Sequence, residues 1–221
     1  MALVDTLEEQ ALLEQVLDDS KPAVPEECHG LHYLLFTPFR YGVPYPQGSR
    51  FRRAGLTPGV FYASVLVETA IAEMAFWRLL FYAESPRTPW PANAAGYTAF
   101  SVRFSTSKGL DLTRPALSKD AEKWAHPIDY SHCQALADTA RSAGVNVLRY
   151  QSARAAGANV ALLACPAFAS RKPIEQQRWR IHVSASGARA IGDDSDHRLA
   201  FDRSFFARDP RISSMHWDRE G

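Results

Sequence analysis

The chain has 221 residues, 46% of them hydrophobic and 22% charged, with a formal net charge of +1. That balance suits one ordinary globular domain with a short extension. It speaks against a strongly electrostatic DNA binder, and direct nucleic-acid binding is not expected.

The N-terminal stretch "MALVDTLEEQALLEQVLDD" is acidic and has no basic-then-apolar leader pattern. Leu7, Ala11, Leu12, Val16 and Leu17 fall on one face, which predicts an amphipathic helix over 5–19. "KPAVPEE" breaks it. "LHYLLFTPF" (31–39) reads as an apolar strand ending at Pro38. The stretch 40–59 is loop-like, with three Pro, four Gly and four Arg. "VFYAS" predicts a short strand and 65–83 a long helix, ended by "SPRTPWPANAAG". A strand follows at 97–106. "DYSHCQALADTARSAG" predicts a helix that Gly144 closes. Strands are expected at 145–150 and 159–164, and a strand or hairpin in "RWRIHVSASGARAI". The tail from 193 is polar, with Phe201, Phe205 and Phe206 as anchors. Short strands mixed with a few helices predict an α+β fold.

No stretch offers the roughly 18 apolar residues of a membrane span. The three cysteines, Cys28, Cys133 and Cys165, form no CxxC pair, so neither a zinc cage nor a disulfide framework is expected. The seven histidines show neither HExxH nor HxH spacing, and no metal site is assigned. A reduced, cytoplasmic protein is the resulting expectation.

Three features bear on chemistry. On the helix over 65–83, Glu73 neighbours Thr69, Ala70, Phe76 and Trp77 at spacings of three and four. A carboxylate on that face is expected to be buried and needs a partner. It is either a structural partner of an arginine or a catalytic group in an apolar pocket. Glu68, near the helix start, suits solvent and the helix dipole. Second, Arg40, Arg50, Arg52 and Arg53 crowd one Gly- and Pro-rich loop. That is a solvated basic loop or a set of forks for phosphate. Third, "QSARAAGAN" sets Ser152, Arg154 and an amide between two apolar strands: a surface turn, or a ligand site at the sheet ends. GxGxxG, Walker and GxSxG patterns are absent.

"TPFRYGVPYPQGSRF", "GVFYASVLVETAIAEMAFWR" and "DYSHCQALADTARSAGVNVLRYQSARAAGANVAL" together resemble the RES domain, named for its arginine, glutamate and serine. The likeness covers roughly 31–168. It implies a compact mixed sheet core with flanking helices, similar to ADP-ribosyltransferase toxins. It frames a catalytic domain over 31–192, with a helical extension at 1–30 and a packed tail at 193–221. It also implies a bacterial toxin that cleaves the nicotinamide–ribose bond of NAD. NAD is then a substrate and phosphate a candidate co-substrate, with no permanently bound cofactor. Transfer of ADP-ribose to a protein, and a catalytically weak nucleotide- or partner-binding module, are the alternatives. The partner implied is an Xre-type helix-turn-helix antitoxin in a higher-order complex.

Carried over position by position, the glutamate is Glu73 and the serine Ser152, in "YQSAR". The arginine falls on Arg50 in "SRFR", and Arg40 in "PFRY" matches a second family arginine. Phe51 and Arg52 stand where the family has tryptophan and asparagine. The resemblance thus implies Glu73, Arg50, Ser152 and Tyr62 as catalytic residues. It implies Arg40, Arg50, Tyr62, Ser152 and Arg154 as the residues that bind NAD.

Overall fold

The computed structural model describes residues 6–41, 48–55, 57–194 and 196–218. Part of the arginine-rich loop, 42–47 and Leu56, lies outside the described residues. Helix α1 (Leu7–Asp19) opens with a capping box. The Thr6 hydroxyl accepts from the Glu9 amide at 3.1 Å, and the Glu9 carboxylate accepts from the Thr6 amide at 3.2 Å. Its apolar residues stay in solvent; Leu7 is 84% and Leu12 65% exposed.

The run 31–39, read as a strand, is a helix, α2 (Tyr33–Arg40). A short apolar run has no period of its own that separates the two. His32 caps it by accepting from the Leu34 amide, and Leu35 is sealed into the core. Strand β1 (Phe61–Ser64) leads into α3 (Val67–Glu84). Strand β2 (Ala95–Phe100) is displaced from the 97–106 expected. The sequence reading missed the short pieces that follow: β3 (Gly109–Asp111), α4 (Pro115–Ser118) and α5 (Ala121–Trp124). Then come α6 (Ser131–Ser142), β4 (Val147–Gln151) and β5 (Ala158–Leu162). The hairpin β6 (Gln176–Ser184) and β7 (Gly187–Gly192) is followed by β8 (Arg198–Asp202) and α7 (Pro210–Ser213).

The strands form two sheets, giving an α+β fold. One runs β1-β5-β4-β3, with β3 parallel to β4 and the rest antiparallel. The other runs β2-β6-β7-β8, antiparallel throughout. Helix α3 is apolar almost all round, and this suits its place. Ile71, Ala75, Phe76 and Leu79 share a core with Trp179, Ile181, Val183 and Ala190 of the second sheet. Phe201, Phe206 and Ile212 of the tail join the same core. A fully buried side chain of this size contributes about 1.5–3 kcal/mol. The other edge of α3 turns to β1, β5 and the turn between β4 and β5, and there the polar residues gather.

Cys28 and Cys165 form a disulfide, against the expectation of free thiols. They are 137 residues apart in sequence, so spacing carried no sign of the pair. The bond ties two 3₁₀ turns together, at 26–28 and 165–167. Cys133 is free and buried. Among the described residues no helix is long and apolar enough to cross a membrane.

Candidate functional site

A cleft of about 470 Å³ opens between α3, β1 and the 48–52 segment, lined among others by Arg50, Tyr62, Glu73, Trp77 and Tyr150. Glu73 is its carboxylate. It is half-buried rather than buried as expected, because Met74 and Trp77 beside it stand 39% and 50% exposed. Two donors reach the same oxygen: Ser152 Oγ and Asn159 Nδ2 each lie 2.7 Å from Oε1. Among the described residues none hydrogen-bonds Oε2. The carboxylate is therefore gripped on one side and open on the other.

Each grip has its own support. Asn159 is the second residue of β5, an otherwise apolar strand buried along its whole length. Its Oδ1 accepts from Ser64 Oγ of β1 at 2.7 Å, which fixes its amide and turns Nδ2 to Glu73. Ser152 is 5% exposed. Its hydroxyl donates to Glu73 and accepts from the amides of Arg154 and Ala155, both at 3.1 Å. Ser152 thus has no hydroxyl hydrogen left for a ligand and does not line the cleft; it holds the carboxylate and shapes the turn.

That turn is clamped onto α3. Thr69 donates to Ala156 O at 2.8 Å, and Gly157 has φ +97°. A Cβ on Gly157 would lie 2.5 Å from Thr69 Oγ1. Gly157→Ala is expected to destabilise the fold by about 1–3 kcal/mol, read as a lower midpoint in urea unfolding. An unchanged midpoint would show that the turn is not clamped this way.

Arg50 is a buried guanidinium, 9% exposed. It donates to Trp124 O at 2.6 Å and to His126 O at 3.0 Å. It also lies over the rings of Tyr130 and Tyr150, 4.7 and 6.0 Å from their centroids. Among the described residues no carboxylate pairs with it. Its charge is thus fixed at the cleft and balanced by neutral groups, which suits an incoming anion. Phe51, where the family has tryptophan, is sealed inside and packs edge-on against Tyr150.

Tyr62 shows its ring to the cleft while its hydroxyl is tied inward. That oxygen accepts from the Phe51 amide at 2.9 Å and shares a 2.8 Å hydrogen bond with Ser49. Burial of this end pushes the Tyr62 pKa up, against the lowering effect of those bonds and of Arg50. Burial pushes Tyr150 further, well above the usual tyrosine range, and Tyr62 and Glu73 add to the rise. Both phenols stay neutral and serve as aromatic walls.

The remaining arginines divide. Arg52 lines the cleft, while Arg53 lies outside it and pairs with Asp138 at 2.5 Å. Arg40, expected to bind the ligand, is not brought to the cleft; its Nε donates to Pro22 O at 2.6 Å. Arg154 reaches the cleft wall, but its charge is engaged by Asp209 at 3.2 Å. Glu68 is exposed and apart from the site.

The family model of the RES domain matches residues 24–184. The chain belongs to the RES domain family. The match extends beyond 31–168 on both sides, so the segment carrying Cys28 lies within it. No curated protein matches the chain. Arg50, Glu73 and Ser152, which the resemblance set against the RES pattern, thus stand around one cleft, the first two on its wall and the third behind the glutamate. Sequence reasoning gave no role to Asn159, Tyr130, Tyr150 or Asp209. The one visible signal was an asparagine inside an apolar strand; the others looked like ordinary loop, strand and tail residues.

Proposed function

We propose that the cleft binds NAD and cleaves its nicotinamide–ribose bond, with the one-sided grip on Glu73 as the observation that carries the reading. In this reaction the C1′–N bond breaks and its electron pair leaves with the ring nitrogen. The nicotinamide starts as a cation and departs neutral, so no proton donor is needed. Positive charge then appears on the ribose. The free side of Glu73 faces that charge, and its held side cannot turn away to pair elsewhere. Preorganised charge of this kind is usually the largest single contribution to catalysis. Tyr62, Tyr150 and Trp77 offer flat apolar walls to a planar ring. Arg50, with Arg52 nearby, offers the fork for the pyrophosphate.

Phosphate or water then attacks the ribose carbon and gives up a proton to solvent. Family membership supports a toxin held in check by an antitoxin, since a cytoplasmic enzyme that destroys NAD harms its host. A partner that places a carboxylate at Arg50 would compete with the pyrophosphate.

The test is mass spectrometry of NAD incubated with the pure protein, with and without phosphate. The expected result is free nicotinamide together with ADP-ribose or its phosphorylated form. A mass-shifted protein would instead name a protein acceptor. Undiminished NAD under every condition would overturn the reading in favour of a binding module. If the product of an adjacent helix-turn-helix gene is the restraint, adding it stops the turnover.

A further inference from the structure

We infer that Asp209, in the C-terminal tail beyond the family match, is a positioning residue for Glu73, acting through Arg154 and the turn that Ser152 opens. The inference rests on the proposed NAD chemistry for its catalytic half. Its structural half stands on contacts alone.

Asp209 is 1% exposed, one of the most deeply buried charges among the described residues. It caps α7 by accepting from the Arg211 amide at 3.0 Å. The Arg211 side chain grips it twice, at 3.0 and 2.8 Å. Its Oδ2 also lies 3.2 Å from Arg154 Nη2, with side-chain exposures of only 1% for Asp209 and 4% for Arg154. Burial alone would raise the Asp209 pKa. The bonds from Arg211 and the charge of Arg154 outweigh it and hold the carboxyl below its usual range. The ion pair is therefore fully formed at neutral pH.

Arg154 is fixed from every side. It donates to Pro127 O at 2.6 Å and its guanidinium lies 3.9 Å from the Phe76 ring centroid. Its own backbone amide is one of the two that hold Ser152 Oγ. Ser152 Oγ in turn donates to Glu73. A continuous path of contacts runs from Asp209 to Arg154, to Ser152 and to the carboxylate. Phe76, under the guanidinium, is on the same helix as Glu73. Cutting the first link takes its ion-pair partner from a buried arginine, and a buried charge that loses its partner is strongly destabilised where it stands.

The experiment uses the full chain and a double-mutant cycle. Asp209→Asn keeps the shape and the helix cap and removes the charge. It is expected to lower kcat roughly 10–100-fold, the range for a misplaced catalytic group, with KM for NAD little changed. In an Arg154→Met background the same substitution should cost kcat little, because the buried guanidinium is gone and Arg211, partly exposed, still has Glu84 at 3.8 Å. A second readout needs no activity: hydrogen exchange at the Arg154 and Ala155 amides should accelerate about tenfold in Asp209→Asn, a local opening energy that falls by roughly 1.4 kcal/mol. Unchanged kcat and exchange would overturn the inference. So would an equal loss in both backgrounds, or exchange raised equally across the β6–β8 sheet, which reports a loosened fold. If the wild type leaves NAD intact, the proposed function fails, and the exchange readout still decides whether Asp209 holds the turn.

Discussion

Glu73→Gln is expected to cut NAD turnover by about 10²–10³-fold, the usual loss when a preorganised electrostatic group is removed. Binding of ADP-ribose should stay close to that of the wild type. The substitution is well suited to this site because both hydrogen bonds land on one oxygen. The glutamine amide oxygen can take the place of Oε1 and accept from Ser152 and Asn159 as before. The flipped amide would set an NH₂ against two donors and is disfavoured. The side chain thus keeps its orientation and presents a neutral NH₂ group to the cleft where a negative oxygen stood. What is lost is the charge opposite the ribose, which matters only as positive charge develops there. The loss therefore falls on kcat, not on affinity. Glu68→Gln is the control: Glu68 is exposed in the first turn of the same helix, and its substitution removes only a helix-end charge, about 0.3–1 kcal/mol of stability. Wild-type turnover by Glu73→Gln would make Glu73 structural and end the proposed chemistry.

How far this site could be read from the sequence follows from the range of its contacts. Glu73 was legible because α3 is apolar on nearly every face, and an acid in the middle of it asks for a reason. Its partners were not, because Ser152 and Asn159 lie 79 and 86 residues away and meet it only through the pairing of β1, β5 and β4. Family resemblance supplied Ser152 as a catalytic and NAD-binding residue, but not its contact with Glu73, to which its hydroxyl donates from behind the cleft wall. The 40–59 arginines were legible as a cluster. Where each side chain points was not, and the structure sends Arg40 to Pro22 and Arg53 to Asp138. Local pattern also failed at both ends of its range. The apolar run of α2 was too short to show a period, and its eight-residue helix is fixed by its cap and by Leu35 in the core. The pattern of α1 is amphipathic, yet the face it predicts for a core is exposed. Periodicity reports a helix with two faces, and only tertiary structure decides what covers the apolar one.

Arg50→Lys is expected to raise KM for NAD at least tenfold, with a smaller effect on kcat. Truncating one side of a buried charged contact costs about 2–5 kcal/mol, and lysine keeps part of it by keeping the charge. The part it loses is geometric. The guanidinium reaches two carbonyl oxygens, of Trp124 and His126, at once. It does so with its central carbon 4.7 and 6.0 Å from the ring centroids of Tyr130 and Tyr150. An ammonium is a compact, strongly hydrated charge with no plane to stack and no fork to share. In this pocket it must give up one carbonyl or draw water in, and either change moves the charge away from the place where a pyrophosphate would sit. The effect should therefore grow with ionic strength, because a hydrated, displaced charge is screened more than a buried one. Arg53→Lys serves as the comparison, since Arg53 is exposed, paired with Asp138 and outside the cleft. It should leave KM unchanged. Steady-state rates over a range of NAD concentrations, taken well below the melting temperature of each variant, separate the two cases. If Arg50→Lys binds NAD as the wild type does, the anion is held elsewhere, and Arg52 becomes the arginine on which binding turns.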